Sequence, residues 1–265
     1  MHLIIIPILA LAAPVAASPG GATGAVGLRY RVSPGEAYAH QVDLHVQIRA
    51  LSPKDTPLPK HLEAGTNGWV GGRVTTLIGQ RTGMATHEVV QVARLQTKHA
   101  GRTQELPRAM PAIHLVTPHG IRESAGGPGA TSDSSPWGGS GSSILDPLPD
   151  AVLVPGEKWS RTLQARVPGG PAVNLETVSR YLGPRQLDGA ACALIESRSN
   201  LPSLRFSDQS AAGTLTGTVE LLTYHDLDTG VPRRSDGKMH WRLAFTGPKG
   251  NEAQVSIQMA IAIRQ

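Results

Sequence analysis

Residues 38–49 read YAHQVDLHVQIR, and their strict alternation of side-chain character decides the fold class. One face carries Tyr38, His40, Val42, Leu44, Val46 and Ile48, and the other carries Gln41, Asp43, His45, Gln47 and Arg49. Successive side chains of a β-strand point to opposite faces of its sheet. The stretch therefore predicts a strand with one buried and one solvated face.

The same period of two recurs along the chain, in shorter form at Val74, Thr76 and Ile78 and over residues 88–95 and 214–224. Two late stretches are the clearest, because each places its apolar residues on one side: Met239, Trp241, Leu243 and Phe245, then Val255, Ile257, Met259, Ile261 and Ile263. No long amphipathic helix is evident. The sequence predicts an all-β protein of antiparallel sheets, curved or sandwich-like, with few or short helices.

Turn residues separate the apolar stretches. Pro and Gly signals occur at Asn67-Gly68, Pro118 to Gly120, Asp188-Gly189, Asp228 to Gly230, Asp236-Gly237 and Pro248 to Gly250. Glycine adopts the positive φ that tight hairpin turns require, so each of these positions predicts a reversal of the chain.

The N-terminus predicts export from the cytoplasm. Residues 1–17 form an apolar run that ends in small residues, with Val15 and Ala17 placed for cleavage before Ser18. The run is shorter than the roughly 20 apolar residues needed to span a bilayer, and no later stretch reaches that length. The residue directly after the predicted cleavage site is Ser18 and not the cysteine that lipid attachment needs. We therefore expect a periplasmic or extracellular protein without an integral membrane segment after signal cleavage.

Cys192 is the only cysteine, so an internal disulfide is excluded. It lies in an apolar, strand-like stretch, AACALI, at residues 190–195. Reactive thiols need an electropositive and partly exposed setting, so we interpret Cys192 as buried and inert.

The charge distribution argues against nucleic-acid binding. The formal net charge is +5, but the basic residues are scattered singly, and aromatic residues make up only 4% of the chain. Nucleic-acid binding favours clustered basic residues interleaved with aromatics. The expected partners are instead a lipid, a lipoprotein or another protein of the cell envelope, and the sequence does not indicate an oligomeric state.

Composition divides the mature chain into two β halves. A flexible leader over residues 18–27 precedes an N-terminal half over 28–123, and a Gly/Ser/Pro-rich linker over 124–148 leads into a C-terminal half over 149–265. The two halves share a motif, a Pro-Gly-Glu turn whose Glu is two residues before an aromatic residue. It occurs at Pro34-Gly35-Glu36 and at Pro155-Gly156-Glu157. The alternatives are an internal repeat and two ordinary turns.

These turns, with the 183–195 hairpin and the Asp226-Leu-Asp-Thr-Gly turn, resemble an uncharacterised group of secreted bacterial β-rich proteins. The shared motifs are a G-[DE]-x-W strand, a G-x5-G-x5-I hairpin and a D-x-x-[ST]-G turn, covering mainly residues 148–232 and more faintly 28–123. At the level of fold alone, the chain is also similar to periplasmic lipoprotein carriers, whose curved sheets have an apolar concave face. The Gly/Ser linker departs from the group, which implies a helix there.

The sequence assigns no catalytic, cofactor-binding or metal-ligating residue, and no cofactor. His40 and His45 are five residues apart, as are His114 and His119, which places each pair on opposite faces of a strand and disfavours chelation. Asp226-x-Asp228-x-Gly230 resembles the start of a calcium loop, but a turn stabilised by the Asp side chains is favoured. A serine-hydrolase elbow is missing, and Asp43 and His45 are the nearest approach to an acid/base pair.

These features favour an exported β-scaffold that binds an apolar or amphipathic ligand, or a protein, without catalysis. A hydrolase whose site is assembled from distant residues is one alternative, and it predicts a polar pocket holding a group of displaced pKa. A structural or assembly module with two separately moving halves is another.

Overall fold

The computed structural model describes residues 24–52, 67–83, 85–99, 102–105, 112–117, 122–124, 148–166, 172–207, 212–246 and 252–265. None of these residues lies in a helix, and they include no helical segment of the length and hydropathy needed to cross a bilayer. The predicted signal peptide, the turns at 118–120 and 248–250, and all of the predicted linker except its end residues fall outside them.

Fourteen strands account for most of the described chain. They are β1 (Val26–Gly27), β2 (Ala37–Ser52), β3 (Asn67–Thr82), β4 (Ala85–His99), β5 (Arg102–Glu105), β6 (Ala112–Val116), β7 (Arg122–Ser124), β8 (Val152–Leu153), β9 (Lys158–Arg166), β10 (Ala172–Leu187), β11 (Ala190–Ser207), β12 (Ala212–Asp226), β13 (Pro232–Thr246) and β14 (Glu252–Arg264). The all-β prediction is confirmed.

Twelve strands form one antiparallel sheet in the order β7-β6-β4-β3-β2-β14-β13-β12-β11-β10-β9, and β5 pairs with β4 beside this path. From β9 to β14 each strand pairs with the next along the chain, whereas in the N-terminal half β4 pairs with both β5 and β6. The halves meet where β14 pairs with β2, with Ile257 opposite Ile48 and Ile261 opposite Leu44. The first and last long strands therefore lie at the centre of a single sheet.

The register gives this sheet one apolar and one polar face. Side chains that alternate along each central strand are matched across it, as at Met259, which lies opposite Met239 on β13 and Val46 on β2. The resulting buried core comprises Val42, Leu44, Ile48, Val74, Leu221, Met239, Phe245, Ala253, Val255, Ile257, Met259, Ile261 and Ile263. We call this side the apolar face and the other the polar face; the alternation predicted for β2, β13 and β14 is confirmed.

Two of the predicted turns are wrong, because both dipeptides lie inside strands. Gly68 of Asn67-Gly68 pairs with Val46 on one side and His99 on the other. In Asp236-Gly237, a Cβ on Gly237 would lie 2.5 Å from Ile261 Cγ2 and 2.9 Å from Leu221 Cδ1. Gly237 therefore serves close packing between neighbouring side chains and not a reversal of the chain.

The turns at 188–189 and 228–230 are confirmed. Asp188 and Gly189 join β10 to β11 with φ angles of 49° and 80°, and Gly230 has a φ of 70°. These positive φ values are what Gly, Asn and Asp tolerate best, so the sequence signal and the backbone agree.

Residues 24–33, which we call the strap, cross one end of the apolar face. Val26 pairs with Leu153 of β8, and the Tyr181 hydroxyl donates to the Gly24 carbonyl oxygen at 3.1 Å. Leu28 is buried in a second core cluster with Leu148, Leu153, Tyr181, Ala193 and Ile195. The leader predicted over 18–27 therefore includes a paired strand at its end, because Val26 has an apolar partner there.

The two Pro-Gly-Glu turns have the same internal geometry. In the first, the Glu36 N–H donates to the Ser33 carbonyl at 3.1 Å, and the Ser33 N–H donates to the Glu36 carboxylate at 2.9 Å. In the second, Glu157 and Val154 make the same two bonds at 3.0 and 2.9 Å. The glycines have matching φ angles of 91° and 94° at Gly35 and Gly156, as a type II turn requires.

The turns also dock in the same way on a later strand. Gly35 and Glu36 exchange backbone hydrogen bonds with Ile78 of β3 at 2.8 and 2.9 Å. Gly156 and Glu157 do so with Tyr181 of β10 at 2.7 and 3.0 Å. Each turn therefore fixes the start of one strand, β2 or β9, against the strand that follows it.

Candidate apolar ligand site

The polar candidates singled out in the sequence are dispersed over the two faces. His40 is buried on the apolar face, with its Nε2 3.0 Å from the Pro232 carbonyl oxygen, while His45 is exposed on the polar face. The expectation that this pair lies on opposite faces is confirmed. Asp43 accepts a hydrogen bond from the Trp69 indole at 3.2 Å.

Asp226 organises the turn between β12 and β13. One carboxylate oxygen accepts the N–H groups of Asp228 and Thr229 at 2.9 and 2.8 Å, and the other accepts from Arg233 Nε at 2.5 Å. Burial alone would raise the pKa of Asp226, but these hydrogen bonds outweigh it and lower the pKa. The interpretation as a turn stabilised by an Asp side chain is confirmed.

Within the described residues, no group of three or more His, Cys, Asp or Glu side chains is arranged to hold a metal ion. Cys192 is fully buried, and burial raises the pKa of its thiol to about 11, so the thiolate is scarce at neutral pH. The prediction that Cys192 is buried is confirmed.

His225 gives the protein a pH dependence. Burial lowers its pKa from about 6.5 to about 4, although the Gly230 carbonyl, 3.2 Å from Nδ1, partly opposes the shift. Between these values the unfolded chain binds the extra proton, so stability falls as the pH drops from 6.5 towards 4. We expect the free energy of unfolding from urea titrations to be about 2 kcal/mol lower at pH 5.0 than at pH 7.5.

The variant His225→Gln should remove most of this pH dependence. The matched control is His45→Gln, which changes an exposed histidine on the polar face and should leave the dependence intact. A His225→Gln protein that still lost about 2 kcal/mol over the same pH interval would contradict the assignment.

A depression of about 430 Å³ lies on the polar face across β10, β11 and β12. It is lined by Glu176, Val178, Arg198, Ser199, Asn200, Thr218, Val219 and Glu220. Arg198, whose side chain is 62% exposed, contacts Glu196 at 3.0 Å and Glu220 at 3.9 Å. His225 and Asp226, whose pKa values are displaced, lie at the strap end of the sheet and do not line this depression.

The apolar face is partly exposed at the end of the sheet opposite the strap. Six side chains define what we call the apolar patch: Leu201, Leu204, Leu215, Val219, Trp241 and Leu243. The register aligns them across three strands, because Leu204 of β11, Leu215 of β12 and Leu243 of β13 form one row. Val219, Trp241 and Leu243 pack on the buried core, so the patch continues the core outwards.

Trp241 lies over a glycine within this patch. It is opposite Gly217 on β12, where a Cβ would come within 2.4 Å of Trp241 Cδ1. The pyrrole edge of the indole therefore occupies the space that a side chain at position 217 would fill. The Trp241 Nε1 is buried and has no hydrogen-bond partner among the described residues. Leaving a buried donor unsatisfied costs about 1–3 kcal/mol, which an acceptor on a ligand would recover.

The patch is uncharged. The charged residues of its strands, such as Glu220, Lys238 and Arg242, lie on the polar face by the same alternation. Thr177 of β10 and Ser199 of β11 lie beside the patch on the apolar face, and their hydroxyls bond each other at 2.6 Å. An ionic group entering here would meet no counter-charge from these strands, whereas an alkyl chain would be buried favourably.

Sequence reasoning identified part of this patch. The period of two found Leu215, Val219, Trp241 and Leu243 but missed Leu201 and Leu204, which are three residues apart. A register shift between them, at Pro202 and Ser203, returns both side chains to the apolar face. A Pro-Ser pair inside an apolar stretch was the available signal.

Fold and site together define a class: an all-β protein built on one antiparallel sheet, with a filled apolar core that opens into an uncharged patch. No protein-family model matches the chain, and no curated protein is significantly similar to it.

Proposed function

We propose that this protein is exported and binds an apolar or amphipathic ligand on its apolar patch, without catalysing a reaction. The observation that carries the proposal is the apolar patch itself, a row of partly exposed leucines continuous with the core. The described residues provide no helical layer over this face. Exposed apolar surface of this kind commonly marks a ligand or partner site.

The ligand proposal fits the expected setting of the cell envelope, where lipids and lipoproteins are the abundant amphiphiles. The resemblance to secreted bacterial β-rich proteins, and at the level of fold to lipoprotein carriers, points in the same direction without assigning an activity. The separation of His225 and Asp226 from the polar depression favours binding over hydrolysis.

We also propose that the two halves arose by internal duplication. The two Pro-Gly-Glu turns make the same four hydrogen bonds to matching positions, although Ser33 and Val154 differ in chemistry. Two unrelated turns would share the internal bonds but not the same docking onto the next long strand. The duplicated unit comprises β2 and β3 in one half and β9 and β10 in the other.

The ligand proposal is tested by changing the patch. We expect Leu215→Gln to weaken binding of a 16-carbon monoacyl lipid by at least about tenfold, because burying a leucine side chain is worth about 1.5–3 kcal/mol. Affinity would be measured by isothermal titration calorimetry with lipid kept below its micelle concentration.

Leu77→Gln is the matched control, since Leu77 is a partly exposed leucine on the polar face. It should bind the lipid with the wild-type affinity. The proposal fails if the wild-type protein binds no lipid, or if the two substitutions weaken binding equally.

A further inference from the structure

The patch contains one buried hydrogen-bond donor, the indole N–H of Trp241. The chemistry of this donor indicates which class of amphiphile the patch would bind. Trp241 Nε1 has no hydrogen-bond partner within the described part of the chain. Leu243 follows Trp241 by two residues on β13, and its register partner Leu215 precedes Gly217 by two residues on β12. An indole N–H donates a hydrogen bond and cannot accept one, so the complementary ligand group is an acceptor. The donor lies among alkyl side chains, so the acceptor belongs to a ligand that is apolar around it.

The lack of a charged side chain among the six residues of the apolar patch decides between acceptors. A carboxylate or phosphate could accept from Trp241, but burying it without a counter-charge costs far more than one neutral hydrogen bond returns. An ester carbonyl carries an acceptor oxygen without net charge and is flanked by the alkyl chain that the leucines would bury. Because Trp241 Nε1 is buried, the patch side chains must part as the ligand enters.

We propose that the apolar patch selects neutral long-chain acyl esters, with Trp241 Nε1 donating a hydrogen bond to the ester carbonyl oxygen. This inference rests on the proposed function and adds the chemical class of the ligand. Gly217 is required for this arrangement, because only a residue without a Cβ leaves room for the Trp241 indole in this position. Trp241 is a binding residue here and takes part in no chemical step.

The test compares three lipids that share a 16-carbon chain: monopalmitoylglycerol, its ether analogue 1-O-hexadecylglycerol, and palmitate at pH 8. The wild-type protein should bind the ester most tightly, the ether about 3- to 10-fold more weakly, and palmitate at least tenfold more weakly than the ester. Trp241→Phe should weaken ester binding to the level of the ether and leave ether binding unchanged.

Trp69→Phe is the matched control, because the Trp69 indole bonds Asp43 on the polar face; it should leave all three affinities unchanged. Equal wild-type binding of ester and ether, or palmitate binding as tight as the ester, would overturn the inference even if Trp241→Phe did not fold. Binding of none of the three lipids would instead remove the proposed function itself. The two failures are therefore distinguishable.

Discussion

Replacing Tyr181 with alanine is expected to lower the free energy of unfolding by about 3–5 kcal/mol, the range for large aromatic deletions from a core. Tyr181 is fully buried, and its ring packs in the cluster that joins the strap to β10 and β11. Its hydroxyl donates to Gly24, so the same side chain also ties down the strap. Deleting the ring leaves a cavity and an unpaired carbonyl together.

Tyr181→Phe separates the two contributions. It keeps the ring and removes only the hydroxyl, so the expected loss is about 1 kcal/mol. Both variants would be measured by urea denaturation at pH 7.5, followed by circular dichroism. An alanine variant that lost no more stability than the phenylalanine variant would show that the strap does not pack on Tyr181 as described.

Asp226→Ala should lower the free energy of unfolding by about 2–4 kcal/mol. Breaking a buried ion pair costs about 3–5 kcal/mol, and the expected loss is smaller because the Arg233 side chain is 37% exposed and can be rehydrated. The substitution also leaves the N–H groups of Asp228 and Thr229 without their acceptor. Asp228→Ala is the matched control: it changes an exposed residue of the same turn, and we expect less than about 0.5 kcal/mol.

The pH dependence of this loss has a definite sign. The folded-state pKa of Asp226 is lowered, so its contribution is present above the ordinary carboxyl pKa of about 3.9 and disappears as the pH falls through the folded value. The difference between wild-type protein and Asp226→Ala should therefore be constant from pH 6 to 8 and shrink below about pH 4. A difference that grew on acidification would contradict the carboxylate role.

Local patterns in the sequence were sufficient to predict most of the long strands but not their partners. The alternation over β2 and β14 predicts which side chains are buried, yet it does not say that these two strands pair at the centre of one sheet. That pairing joins residues roughly 200 to 220 positions apart. It depends on the packing of the whole sheet and not on any local propensity.

Glycines also show what a local sequence signal can and cannot predict. Gly35 and Gly156 follow a proline and were predicted as turns from the dipeptide alone, and both have the expected positive φ. Gly237 follows an aspartate and gives the same local signal, but it lies within β13 because Leu221 and Ile261 close over it. Only the neighbouring strands distinguish the two uses of glycine.

The sequence predicted several residues of the apolar patch but not that they form a candidate ligand site. Periodicity placed Trp241 on an apolar face, where an ordinary core residue would also lie. The unpartnered Nε1 depends on Gly217 across the strand pair and on the lack of an acceptor for it among the residues that the structure describes. Neither can be read from the sequence around position 241.

The measurement that tests the central claim most directly is quenching of Trp241 fluorescence by a monoacylglycerol carrying bromine on its acyl chain. The protein would keep Trp241 as its only tryptophan, with Trp69, Trp137 and Trp159 changed to phenylalanine; a second protein would keep only Trp69, on the polar face. Binding at the apolar patch predicts saturable quenching of Trp241 at one lipid per chain and none of Trp69. Equal quenching of both tryptophans, or of neither, would contradict it.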